Sequence, residues 1–318
     1  MRFKKLGKSG IDVSVIAVGT WAIGGDFWGP SDEKESIETI RAAVANGITL
    51  IDTAPGYGQG LSETIVGKAV KGLRDKVVLA SKCGCPLPEE GKPARRRDAT
   101  YAGVIKQVED SLRRMDVDCI DVMQIHWPDP DTSVEEHMNA FAKLKQDGKI
   151  RAIGVSNYNI ELMSQCLQYG QLDSLQPQFS MIYRKEEENM KYCYANQVGV
   201  LTYGSLGSGV LSGKYTELPT FPEGDNRARF YPFFKEPYWS RCMQLVDVLR
   251  EISAEREKPV AQVAINWAVQ QDMVTSSLVG MRNIAQAEEN AATADWELSA
   301  DELKKIDTAY DTIFNQAE

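Results

Sequence analysis

Four ionisable side chains fall at or just past the ends of three short apolar runs: Asp52 and Tyr57 in TLIDTAPGY, Lys82 in VVLASK and His126 in VMQIH. Together they make a proton-transfer set. A tyrosine is a weak acid, with an ordinary pKa of about 10, and a neighbouring ammonium stabilises its phenolate and brings the group into working range. Lys82 is the candidate for that charge. Asp52 held against the lysine keeps it protonated, and His126 can hydrogen-bond an oxygen on a bound molecule while Tyr57 donates a proton to it. Each residue read alone also fits a structural role, as part of a buried lysine–aspartate pair beside a satisfied core histidine. Their joint placement on successive strand ends is what favours chemistry.

Elements that could position such a set alternate along nearly the whole chain. Apolar, β-rich runs occupy Ile16–Thr20, Thr49–Thr53, Val77–Ser81, Ile120–Ile125, Ile150–Val155, Ser174–Gln178, Gly199–Tyr203 and Thr275–Val279. Amphipathic segments with helical spacing lie at Lys34–Ala45, Glu63–Lys71, Ala102–Arg114, Glu135–Gln146, Ile160–Gln168, Lys185–Asn196, Val260–Gln270 and Ile284–Ala292. This alternation predicts a parallel sheet with crossover helices, and eight repeats favour closure into a (β/α)8 TIM barrel of the α/β class. The first helix begins in SDEKE and the fourth follows TSVEE, each with an N-cap hydroxyl and acidic residues in the first turn. Outside the repeats, Phe3–Val15 reads as a hairpin plugging the N-terminal face. Trp239–Arg256 reads as an added helix, and Ser299–Tyr310 as a closing helix opened by a capping box of Ser299 and Glu302. No low-complexity linker divides residues 1–318, which predicts a single domain.

In a barrel, the C-terminal end of each strand feeds one face, and neighbouring strands lie about 5 Å apart. Asp52, Tyr57, Lys82 and His126 can therefore meet. The long connections Ala22–Ser31, Gly84–Ala99 and Thr216–Pro237 leave the same face and should wall a pocket. Their Phe27, Trp28, Phe230, Tyr231, Phe233 and Phe234, with Trp21 and Trp127, would form an aromatic mouth or serve as loop anchors.

The composition excludes several classes. Of 318 residues, 43% are hydrophobic and 25% charged, enough apolar material for a large core. A net charge of −9 disfavours nucleic acid and anionic membrane as partners. The basic N-terminus lacks the apolar stretch of a signal peptide, and no run of about 18 apolar residues occurs, so a cytoplasmic protein is expected. Six cysteines without framework spacing read as reduced thiols. Cys83 and Cys85 form a C-x-C, but with only two histidines, His126 and His137, no metal centre is expected.

Beyond these local readings, the chain resembles the aldo-keto reductases. The likeness runs through KKLGKSGIDVSVIAVGTW, IDTAPGYG, SETIVGKAV, ASK, QIHWPDP, KIRAIGVSN, YGSLGSGVLSGKY, GMRN and EEN. It is nearest to a bacterial general-stress-protein branch that is similar to potassium-channel β subunits. The resemblance implies Tyr57 as general acid, Lys82 as its pKa-lowering partner, Asp52 as the lysine's counter-ion and His126 as the orienting group. It also implies a nicotinamide cofactor, although no G-x-G-x-x-G follows the first strand and GSGVLSGKY fails as a Walker loop at Ser208 and Tyr215.

By family position, Gly19, Thr20, Trp21 and Asp52 line the cofactor cleft, Ser156, Asn157 and Gln176 bond the carboxamide, and Tyr203 stacks on the nicotinamide. Gly204, Ser205, Leu206, Ser208 and Gly209 follow the pyrophosphate with backbone N–H groups, and Lys214 adds charge. Gly280 and Arg282 meet the ribose end, and Gln286, Glu289 and Asn290 the adenine. A guanidinium at the ribose points to NADP(H). Trp21, Phe27, Trp28, Tyr57, His126 and Trp127 are the implied substrate pocket. The family's Q-x-x-Y-N appears here as Gln176, Pro177, Gln178, Phe179 and Ser180, leaving Gln176 and Gln178 as rivals for the carboxamide. The implied activity is reduction of a small-molecule aldehyde or ketone by a protein that is monomeric by default. The alternatives are NAD(P)+-dependent oxidation of a sugar or polyol, or a slow redox-sensing regulatory subunit.

Overall fold

The computed structural model describes residues 1–88 and 96–315. Its strands are β1 (Phe3–Lys5), β2 (Asp12–Ser14), β3 (Ile16–Gly19), β4 (Leu50–Asp52), β5 (Val78–Cys83), β6 (Ile120–Ile125), β7 (Ile150–Ser156), β8 (Ser174–Gln176), β9 (Gly199–Thr202) and β10 (Ser276–Gly280). Strands β3 to β10 pair in chain order, all parallel, and β10 returns to β3, closing an eight-stranded barrel. The helices are α1 (Glu33–Ala45), α2 (Leu61–Val70), α3 (Tyr101–Met115), α4 (Val134–Gln146), α5 (Ile160–Tyr169), α6 (Glu187–Ala195), α7 (Arg227–Phe230), α8 (Tyr238–Arg256), α9 (Val260–Val269), α10 (Ile284–Ala292) and α11 (Ala300–Phe314). The fold is the (β/α)8 TIM barrel expected, with α8 and α11 as the added helices.

Alternation along the strands divides the apolar residues into two cores. One face of each strand packs outward against the helices. The other fills the barrel floor with Ala17, Leu50, Val78, Ala80, Val122, Ala152, Leu201 and Leu278. The β1–β2 hairpin closes that floor, burying Leu6, Ile11 and Val13 against the same set. The hydrophobic plug leaves the opposite, C-terminal rim as the open end.

Local boundaries differ from expectation for identifiable reasons. Strand β5 continues past Ser81 because Lys82 and Cys83 pair with Gln124 and Ile125 of β6. Lys82 thus lies inside a strand. Strand β8 ends at Gln176 because Pro177 has no N–H to give, although Gln178 touches Tyr203 again in an isolated bridge.

The expected hydroxyl caps also differ. The α1 cap is the Asp32 carboxylate, accepting from Glu35 N, while the Ser31 hydroxyl donates to the Ile23 carbonyl. At α4, Ser133 holds the cap position without bonding, and the Thr132 hydroxyl goes to Asp129. The Ser299–Glu302 capping box of α11 is present as expected. The connection 216–237 folds into α7 and a 3-10 turn at Pro232–Phe234. Of the connection 84–99, residues 89–95 lie outside the described residues.

Candidate active site

Backbone packing at the rim positions Tyr57. It follows β4 in a turn that presses against the 3-10 turn Trp21–Gly24 after β3. A Cβ on Gly24 would lie 2.6 Å from the Tyr57 carbonyl carbon, and one on Gly58, whose φ is +64°, would lie 2.3 Å from the Gly24 oxygen. Only glycines allow this approach. The Asp26 carboxylate accepts the Gly58 N–H at 3.0 Å, and the Thr20 hydroxyl donates to the Asp52 carbonyl at 2.8 Å.

The four residues singled out first converge. Lys82 Nζ donates to Asp52 Oδ2 at 2.6 Å and to the Thr53 carbonyl at 2.9 Å, with both charged side chains almost wholly buried. The ammonium stands 5.1 Å from the centroid of the Tyr57 ring. His126 meets the same ring edge to face, with centroids 6.0 Å apart and planes at 83°. Tyr57 and His126 are only partly buried, which leaves them facing the rim above the sealed ion pair.

Burial dominates the electrostatics. It pushes the Tyr57 phenol well above its ordinary range, and the Asp52 carboxylate pushes in the same direction. In the resting site Asp52 offsets the Lys82 ammonium, so burial sets the direction for the phenol. Burial lowers Lys82 and raises Asp52, and each opposes that drift in its partner. His126 is held well below the usual imidazole range by burial first, then by the Lys82 and Arg97 charges. At neutral pH, the exposed part of the site presents a protonated phenol and a neutral imidazole.

A second network adjoins the first. Gln176 Nε2 donates to Asp52 Oδ1 at 2.8 Å, placing this glutamine, rather than Gln178, against the buried pair. The Ser156 hydroxyl donates to the Gln176 carbonyl at 2.8 Å. Asn157, in the left-handed region at φ +61°, donates through Nδ2 to the His126 carbonyl at 3.1 Å and accepts the Tyr203 hydroxyl at 3.0 Å. The residues assigned by resemblance to the nicotinamide are thus tied by hydrogen bonds to those assigned to proton transfer.

The remaining cofactor candidates continue around the rim. Asp52, Lys82 and His126 lie on or at the end of β4, β5 and β6. Ser156, Gln176, Tyr203, Gly280 and Gly19 end or follow β7, β8, β9, β10 and β3, the adjoining strands. Gly207, Ser208 and Gly209 are consecutive left-handed residues at φ +54°, +58° and +101°. Within the turn the Gly207 and Gly209 N–H groups bond the Gly204 and Leu206 carbonyls, so of the N–H groups expected to follow a pyrophosphate that of Gly209 already has a partner. Positive charge here comes from Lys214 and Arg227, both of which would lie within 4 Å of a Cβ on Gly209. Ser205 turns inward to Ser277 at 2.5 Å. Leu206 is partly buried, Asn290 is buried, and Gln286 and Glu289 are exposed along α10.

Arg282 crosses to the β3–α1 connection and donates to the Trp28 carbonyl at 3.0 Å and to that of Pro30. Its own N–H bonds Gln286 Oε1 at 2.8 Å. Arg227, which no sequence motif marked, donates to Asp225 at 2.6 Å and to the Ser208 carbonyl at 3.2 Å, with its guanidinium 5.1 Å from the Trp28 ring. Its only sequence signal was a basic residue after a Gly-Asp-Asn turn.

The aromatic candidates divide. Trp21 stacks on Tyr57 and Phe27, Trp28 meets Trp21 edge-on, and Phe230 caps Phe27 at 5.3 Å. Trp127, next to His126 in the chain, is 41% exposed. Phe233 and Phe234 are instead buried anchors, packed on Tyr238 and Trp239, while Tyr231, stacked on Phe233, lies close enough to Tyr57 to help raise its phenol. Among the described residues, no cluster of three metal-ligating side chains occurs and no helix is long and apolar enough to cross a membrane.

Residues 15–311 match the model of the aldo/keto reductase family. The chain belongs to that family. It is similar to aldo-keto reductase YhdN of Bacillus subtilis (strain 168), with 42% identity over 312 residues, covering 97% of this chain and 93% of that one. The NADH-specific methylglyoxal reductase of Escherichia coli (strain K12) is 34% identical, covering 92% of this aldo/keto reductase and 94% of that protein. Among solved structures, the glycerol dehydrogenase AKR11B4 of Gluconobacter oxydans superposes with a TM-score of 0.90 at 37% identity, covering 99% of this chain and 97% of that one. Family membership and these relatives support an oxidoreductase acting between carbonyl and alcohol.

Proposed function

We propose that this single-domain, monomeric aldo/keto reductase reduces aldehydes or ketones to alcohols with NADPH, and that Tyr57 supplies the proton. The observation that carries the reading is the Lys82 ammonium 5.1 Å from the Tyr57 ring, with Asp52 bound to it at 2.6 Å. When bound, the nicotinamide supplies the hydride that reaches the carbonyl carbon. Tyr57, kept protonated by burial, donates to the oxygen as negative charge gathers there. Lys82 stabilises the phenolate left behind, and Asp52 with the Thr53 carbonyl keeps that ammonium aimed. His126 is neutral and donates a ring N–H to the same oxygen.

The donor set fits a nicotinamide nucleotide. Gln176 Oε1, Asn157 and Ser156 offer amide and hydroxyl partners for a carboxamide, and Tyr203 offers a ring face. Lys214 and Arg227 offer charge for a pyrophosphate. Arg282, at the end where a ribose would lie, favours a 2′-phosphate and hence NADPH over NADH. The NADH-specific relative makes this the point on which cofactor choice turns. Trp21, Phe27, Trp28 and Trp127 surround the opening and favour a substrate with an apolar or sugar-like face.

Tyr57→Phe tests the assignment. It is expected to cut turnover about a hundredfold or more while changing nucleotide affinity by less than about twofold. Retention of more than about a tenth of the wild-type rate would remove Tyr57 from the proton-donor role.

A further inference from the structure

One cationic feature of the sequence has no part in the site described so far. Three consecutive arginines, Arg95–Arg97, occur once in a chain whose net charge is −9. Arg96 and Arg97 lie in the connection between β5 and α3, and the backbone just after them is pinned to the rim. The Asp98 N–H donates to the Gly84 carbonyl at 3.0 Å, one residue past β5, and the Ala99 N–H donates to Asp129 Oδ2 at 2.9 Å, four residues past β6. A Cβ on Gly84 would lie 3.2 Å from Ile125 Cγ2 and 3.9 Å from the Ala99 Cβ. The segment therefore sits directly on the strand ends that carry Lys82 and His126. The half-buried Arg97 places its guanidinium over the ring of Trp127, 5.8 Å from the centroid, and Trp127 follows His126 in the chain. Its charge is close enough to help hold the His126 imidazole below the usual range.

Among the described residues, the Arg97 guanidinium makes one hydrogen bond, from Nη1 to the Arg96 carbonyl at 2.9 Å, and pairs with no carboxylate. The acids of this stretch are committed to their own turns. Asp98 accepts the Thr100 hydroxyl at 2.6 Å, and Asp129 accepts the Thr132 hydroxyl at 2.8 Å as well as the Ala99 N–H. A protein of net negative charge repels anions from most of its surface. A guanidinium over Trp127 reverses that at the mouth of the site, and its planar fork matches a carboxylate or a phosphate. We infer that Arg97 binds an anionic group on the substrate, so that the site prefers aldehydes carrying a carboxylate or phosphate a few bonds from the carbonyl over neutral aldehydes of the same length. The carbonyl oxygen then lies at Tyr57 and His126, and the chain of the substrate crosses Trp127 to reach Arg97. Arg97 determines specificity without touching the reacting atoms. The inference rests on the carbonyl reduction proposed above and names its substrate class.

Initial rates with NADPH on two matched pairs test this: succinic semialdehyde against butanal, and glyceraldehyde 3-phosphate against glyceraldehyde. In wild type, the KM of the anionic member of at least one pair should lie about tenfold below that of its neutral partner, the worth of a charge-assisted hydrogen bond. The pair that shows the preference tells carboxylate from phosphate. Arg97→Gln should raise that anionic KM about tenfold while moving kcat and the neutral KM by less than about twofold. Arg97→Lys should recover part of the loss, because it keeps the charge without the fork. The same KM change for both members of a pair would make Arg97 a loop anchor and overturn the inference, as would a wild type with no preference in either pair. If Arg97→Gln does not fold, salt decides with the wild type alone. Raising it from about 50 to about 500 mM should raise the anionic KM severalfold and leave the neutral one unchanged, and equal responses would overturn the inference. A wild type that reduces neither neutral nor anionic aldehydes would overturn the functional reading and this inference with it.

Discussion

Replacing Lys82 by methionine removes the cation from a pair whose members are 1% and 3% exposed and joined at 2.6 Å. Asp52 keeps one donor, Gln176 Nε2, and loses the charge that offsets its burial. In the folded variant, burial with no cation to offset it raises the carboxyl further than in the wild type. Unfolded, it ionises at about pH 4. A group whose folded pKa is raised loses stability as pH climbs above its unfolded pKa, by about 1.4 kcal/mol per unit. Breaking a buried pair from one side typically costs roughly 3–5 kcal/mol, which sets the size of the deficit expected where the carboxyl would otherwise be ionised.

Urea unfolding of wild type, Lys82→Met and Lys82→Met with Asp52→Asn at pH 4 and pH 7 reads this, the double variant separating the Asp52 contribution from that of His126, which Lys82 also shifts. The deficit of Lys82→Met should be smaller at pH 4 and grow towards roughly 3–5 kcal/mol at pH 7. Adding Asp52→Asn should recover most of it, since no buried charge then remains. A deficit below about 1 kcal/mol at pH 7, or one that does not vary with pH, would refute the claim that the two charges depend on each other.

Two further perturbations test the outlying parts of the account. His137 on α4 is buried with both ring nitrogens unpartnered, and burial lowers its pKa to about 4 although Asp129 opposes the shift. The unfolded chain takes up a proton near pH 6.5 that the folded chain refuses, so stability should fall as pH drops from about 6.5 towards 4. His137→Leu should remove about 3 kcal/mol of that fall in urea melts at pH 7 and pH 4, and an unchanged pH slope would refute it. Arg282→Ala should weaken NADPH binding about tenfold and NADH binding little, by titration of both nucleotides. Equal loss for both would make Arg282 an anchor for the Trp28 and Pro30 carbonyls rather than a phosphate ligand.

The barrel was legible because its signal is repeated: each strand run is apolar, each following segment is amphipathic, and closure follows from the number of units. The convergence of Asp52, Tyr57, Lys82 and His126 was legible for a related reason, since residues at the ends of neighbouring parallel strands must share a rim. Distances set by loop conformation were not. Arg227 reaches Ser208 and Trp28 only because the 216–237 connection folds back over β9, and nothing in its local sequence fixes that path. Phe233 and Phe234 read as readily for a pocket wall as for the buried anchors they are, because aromatic content does not encode direction.

Pairings across the barrel were also hidden. The bond from Gln176 to Asp52 joins residues 124 positions apart. The burial that raises the Tyr57 phenol is not written in the sequence either, which reveals only the neighbouring lysine.

The most direct test of the central claim is fluorescence titration of the purified protein with NADPH and NADH, continued into a panel of aldehydes and aldoses followed at the nicotinamide absorbance. Tight NADPH binding, weaker NADH binding and steady turnover on that panel are the predicted result. Failure to bind either nucleotide would contradict the account, leaving the Tyr57–Lys82–Asp52–His126 cluster without a hydride source.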